Sequence, residues 1–180
     1  SIVLELSKQY LVQKLTERKE YPDDLDALIA VLPHTFTETE MTRVVDFVRS
    51  GKPVMVLVDP LPAFDIEMSP QMGQRNPFTP SASPPQPPTD VTPLMEALGV
   101  VWDKNEIVWD KYNPHPRLGK LPPEIVFVAA GNEAASEAFN PEEAVTSGLQ
   151  EVVLLHSGVL KPAEGAEDAF IPLLRTGEVS

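Results

Sequence analysis

The apolar positions of this chain fall into runs of strand length and one helical stripe, and their order is informative. Ala27-Leu28-Ile29-Ala30-Val31-Leu32 is an unbroken apolar run, the pattern of a strand covered on both faces. A helix should follow, because Thr37 and Glu40 have the spacing of a capping box. Met41, Val44, Val45 and Val48 then repeat as one buried helical face, and Gly51 supplies the stop. Pro53-Val54-Met55-Val56-Leu57-Val58-Asp59-Pro60 is a second run of the first kind. Strand, helix and strand with short connections make a βαβ unit, whose right-handed crossover requires the two strands to lie parallel. Their carboxyl ends carry Pro33-His34-Thr35 and Asp59-Pro60.

The flanking segments are less regular. Ile2, Val3, Leu6 and Tyr10 fit a helical stripe, while Tyr10 to Leu15 also reads as a strand; the favoured order is helix, then strand. Tyr21-Pro22-Asp23-Asp24 is a turn by composition. Residues 61–92 form a proline-rich loop, which neither ladders into a sheet nor holds a helix. Thr92-Pro93 opens a short helix that Gly99 ends. Strand-like runs follow at 106–109, 124–129, 151–155 and 169–174, so the second half should be rich in strand, with antiparallel additions to the sheet.

Composition narrows the function classes. The 180 residues suit one domain, and the 42% apolar share supports a core. With 27 acidic against 14 basic residues the formal charge is −13, which repels nucleic-acid phosphates and anionic lipid, so no nucleic acid is expected as a partner. The absence of cysteine excludes thiol chemistry, disulfides and thiolate metal sites. No window approaches the ~20 apolar residues of a membrane span. The apolar start at Ile2 reads as that of a piece excised from a larger protein.

Candidate chemistry is sparse. Asp59 ends a parallel strand, where ligands bind in open α/β sheets, and it also suits a cap for the turn at Pro60. His34 and Thr35 lie at the neighbouring strand end, and Asn132, after the 124–129 strand, sits in a Gly131-Asn132-Glu133 turn able to face an anion. These four, Asp59, His34, Thr35 and Asn132, are the ligand- or partner-binding candidates. His34, His115 and His156 lack a second ligand at metal spacing, so no metal is expected, and there is no serine elbow or phosphate loop. Trp102 and Trp109 flank an acidic segment that suits sugar stacking or, more simply, core packing.

The stretch from Asp26 to Pro33, the helix ending Val45-Asp46-Phe47-Val48-Arg49-Ser50-Gly51-Lys52, and Val54 to Pro60 resemble the ABC-type uncharacterised transport system family. This family includes the GldG-like auxiliary components of gliding-motility ABC transporters. The later Val152 to Leu155 and Leu173 to Thr176 segments sit where that family has similar ones, so the resemblance spans most of the chain. Ser50-Gly51-Lys52 departs from the paired glycines often found there.

The resemblance implies a single α/β domain over residues 1–180, with a flavodoxin-like or class I glutamine amidotransferase-like, mainly parallel sheet flanked by helices. It implies a periplasmic setting, an anchor in the inner membrane through helices outside this sequence, and permease and ATPase subunits as partners. The amidotransferase cysteine has no counterpart here, and no catalytic residue is carried over. The expected function is a non-catalytic binding or scaffolding domain, without cofactor, that contacts proteins or captures an extracytoplasmic solute. The alternative is an enzyme using Asp59 on a small-molecule or phosphate substrate.

Overall fold

The computed structural model describes residues 2–15, 20–63, 68, 70, 87–132, 135 and 137–177. Helix α1 (Ile2–Leu6) is followed by strand β1 (Leu28–Val31), a single 3-10 turn (Pro33–Thr35), helix α2 (Glu38–Arg49) and strand β2 (Val54–Leu57). Then come helix α3 (Thr92–Leu98) and strands β3 (Val100–Trp102), β4 (Ile125–Ala129), β5 (Glu151–Leu155) and β6 (Leu160–Pro162).

β1 and β2 pair in parallel, with Leu28 opposite Val54 and Val31 opposite Leu57, as the βαβ reading requires. The crossover helix begins as its sequence dictates. Thr37 Oγ1 accepts from the Glu40 amide at 3.3 Å, while the Thr37 amide donates to the Glu40 carboxylate at 2.9 Å, so two otherwise orphaned donors are satisfied. Met41, Val44, Val45 and Phe47 of α2 pack with Leu28, Ala30, Leu94 and Met95 into the larger core. Each such side chain contributes roughly 1.5–3 kcal/mol when fully buried. Phe47 was not part of the predicted stripe; the edge of the Tyr21 ring meets it at 6.0 Å between centroids, which extends the buried face sideways.

α3 forms where the Thr92-Pro93 signal placed it, with a different cap. Thr92 is the first helical residue, and the Asp90 carboxylate accepts from its amide at 2.9 Å and its hydroxyl at 2.7 Å. Those two bonds hold the Asp90 carboxyl below the usual carboxylate range. Gly99 ends the helix with φ 68°, a left-handed conformation that costs glycine little, and its carbonyl accepts from Ala163.

Among the described residues the mainly parallel, flavodoxin-like sheet expected from the sequence does not form. Three two-stranded sheets do: β1 with β2 in parallel, β3 with β6 antiparallel and β4 with β5 antiparallel. The antiparallel additions are therefore separate ribbons. β3 and β6 are three residues each, too short to show a period in the sequence, and their pairing joins segments far apart in the chain. The expected strand at residues 10–15 is irregular, and 106–109 makes a local turn bond, from Glu106 to Asp103 at 3.2 Å, and one long-range bond, from Val108 to Ser157 at 2.8 Å. In place of a strand at 169–174 there is a 3-10 turn (Glu167–Ala169) and one bridge from Leu174 to Phe139. Pro172 lacks the N–H that a ladder needs.

Burial also departs from the two-faced expectation. In β1, Leu28 and Ala30 are buried while Ile29 and Val31 are about half exposed, and β2 alternates likewise. α2 and α3 cover only one face of the parallel pair. Most of the proline-rich loop expected at 61–92 lies outside the described residues; its described part has no α-helix or strand before α3.

Candidate functional site

The carboxyl ends of β1 and β2 share one edge, and the structure brings His34, Thr35 and Asp59 to it. Leu32 leaves β1 in the left-handed region at φ 48°, unusual for a branched side chain, and this turns the chain into the 3-10 turn that carries His34 inward. Bonds to the Leu32 carbonyl from the Thr35 amide at 2.9 Å and hydroxyl at 2.8 Å fix that turn. Thr35 thus acts on its own backbone.

His34 is 4% exposed. Its Nε2 lies 2.7 Å from the Met68 carbonyl, which only accepts, so Nε2 carries the proton and Nδ1 is left as a buried acceptor without a partner among the described residues. Burial holds the ring below the usual histidine range, against the opposite pull of the Met68 carbonyl and the Asp59 charge. The ring is therefore neutral near pH 7. On the other side of the same residue, the His34 carbonyl accepts from the Thr89 amide at 2.9 Å, and the Thr89 hydroxyl donates to the Phe36 carbonyl. His34 ties down both flanks of the proline-rich segment.

Asp59 Oδ1 accepts from the Leu61 amide at 2.9 Å, the turn-capping geometry that Asp-Pro invites. Its carboxylate also lines a cavity of about 420 Å³, lined mostly by apolar side chains. Val58 and Asp59 enter it from the end of β2, Trp102 from β3, Val153 and Leu155 from β5, and Leu160 from β6. Ser157 and Gly158, between β5 and β6, close one side. A ligand crevice beside Asp59 was the expectation for this strand end, but its walls from β3, β5 and β6 were not, because no local pattern announces those strand pairs. Trp102 was singled out only in a sugar-stacking reading coupled to Trp109, and Trp109 lies outside the lining, with Lys111 Nζ 5.8 Å from its ring centre.

Asn132 does not join this edge through a shared sheet. It follows β4 in a different ribbon, is buried at 5% exposure, and its backbone turns with Ala129 and Ala135. Asp110, beside Trp109, is a buried staple whose carboxylate accepts from Tyr112 at 2.8 Å and from Gly177 at 3.0 Å. Among the described residues no group of three His, Cys, Asp or Glu side chains is placed to hold a metal ion. No helix among them is long and apolar enough to cross a membrane.

No curated protein sequence and no solved structure matches the chain significantly. The model of the family described as ABC-type uncharacterized transport system matches residues 1–180. With that match covering every residue, the chain belongs to this family and is an auxiliary component of an ABC-type transport system.

Proposed function

We propose that the domain works as a non-catalytic binding and scaffolding module, on the periplasmic side of the membrane, in a complex with the permease and ATPase subunits of its transport system. One observation carries this reading. The polar side chains at the carboxyl edge are engaged with backbone, His34 with Met68 and Asp59 with Leu61, while the apolar face beside them is open. Ile29, Val31, Met55 and Leu57 stand 36–52% exposed on the uncovered side of the parallel pair. Parallel strands are almost always covered on both faces, and a contiguous apolar patch of this kind marks a contact surface. Membership of an ABC-type transport system family supports a subunit of that system as the cover in this reading. The gliding-motility association of GldG-like members and the membrane anchor belong to the same proposal.

Copurification of the domain with the permease and ATPase of its own transport system tests it. The wild type should be retained, and Val31→Lys with Met55→Glu should abolish retention while leaving the unfolding midpoint within a few degrees. Retention equal to wild type in that double variant would overturn the reading. Turnover of a small-molecule or phosphate substrate that disappears in Asp59→Asn would favour the enzyme instead.

A further inference from the structure

The cavity beside Asp59 has a consistent chemistry of its own. Its volume, about 420 Å³, lies toward the small end of the range for small-molecule sites. Among the described residues its walls are apolar apart from the Asp59 carboxylate and Ser157, and none of those lining it is a lysine, arginine or histidine. Neither of the ion pairs seen among the described residues, Lys8 with Glu5 and Lys161 with Glu106, involves Asp59. Asp59 Oδ1 is held by the Leu61 amide, and that bond fixes the carboxylate in place.

The aromatic wall is fixed as well. A Cβ added to Gly158 would lie 2.7 Å from Trp102 Nε1 and 3.3 Å from the Pro60 ring, so Trp102, Gly158 and Pro60 are packed as closely as glycine allows. Trp102 also packs against the larger core. A positioned carboxylate and a rigid indole in one apolar cavity suit an ammonium group on an apolar body, the first through direct charge and the second through packing against the ring. An anion would meet only the carboxylate. The protein's charge of −13 raises the local concentration of cations further.

We propose that this cavity takes a small organic ammonium cation with an apolar body, the ammonium at Asp59 and the body against Trp102, Val153 and Leu155. This rests on the reading of the domain as a binding module and names the solute it captures. A primary amine also suits Ser157 as an acceptor.

Three probes of one shape separate charge from apolar fit: benzylamine, protonated at neutral pH, benzyl alcohol and benzoate. Calorimetric titration should show saturable binding of benzylamine, with the alcohol and the acid weaker by about tenfold or more. Because the chain has two tryptophans, a Trp109→Phe background makes Trp102 the sole indole reporter, and its fluorescence should respond to benzylamine alone. Asp59→Asn keeps an oxygen for the Leu61 amide, so the turn survives, and it should bring benzylamine down to the level of the alcohol. Gly158→Ala, which forces Trp102 to move, should weaken binding with Asp59 intact.

Equal binding of amine and alcohol, no saturation, or an unchanged Asp59→Asn variant each overturns the proposal. Copurification with the transport subunits is read separately. Assembly without amine binding overturns the solute class alone, and amine binding without assembly overturns the docking reading alone.

Discussion

Leu28 and Ala30 of β1 are 7% and 2% exposed while Ile29 and Val31 between them are 44% and 51%, whereas Val126, Phe127 and Val128 of β4 are all at 2% or below. Both strands come from unbroken apolar runs. The difference is what the rest of the described chain lays over them. β4 has Ala138, Leu154, Phe139, Leu174 and Val108 against Val126 and Val128, while the His115 ring reaches to 6.5 Å of the Phe127 ring on the alternate face. β1 has α2 and α3 on one side only. An apolar run therefore reports how many faces of a strand need cover, and not where the cover comes from. Irregular segments supply it for β4, whereas β1 keeps Ile29 and Val31 exposed.

The largest effect that tests this contrast is Phe127→Ala. Removing a ring that is 1% exposed should cost about 3–5 kcal/mol in urea unfolding. Ile29→Ala, on the open face, should cost no more than about 1 kcal/mol in the isolated domain and more once the transport subunits are bound. Equal losses at the two sites would remove the contrast. A smaller effect probes the covered face: Thr37→Ala breaks the capping box of α2 and should cost about 1 kcal/mol by the same measurement.

The smallest effect concerns the edge that links the two faces. The folded His34 ring titrates below its unfolded value, so between the two the unfolded chain binds more protons. Its contribution to stability is complete above about pH 6.5 and is lost as pH falls below that value. Thermal unfolding across pH 5–7 should show this slope, and His34→Gln should flatten it. An undiminished slope in that variant would place the titration elsewhere.

Legibility in the sequence followed the range of the interactions. β1, α2 and β2 were readable because capping, helical periodicity and a short crossover are all local, and the parallel orientation followed from the helix that joins the strands. α3 was readable from Pro93 and Gly99, though Asp90 rather than Thr92 supplies the side-chain bond at its start. β3 and β6 were invisible, because three-residue strands have no period to detect and their pairing spans residues 100–162. The 106–109 and 169–174 runs looked like strands and found no partner strand to ladder with. At the site, Asp59 and His34 were correctly placed on one edge, since strand ends are local features. The cavity walls contributed by β5, β6 and Gly158 depend on tertiary assembly, and nothing in the sequence near them reveals it.

The two attachments at His34, one through its ring to Met68 and one through its carbonyl to Thr89, mean that the chain departs from and returns to a single residue. A substitution at position 34 can remove only the first of these, because the second is made by backbone and survives any side chain.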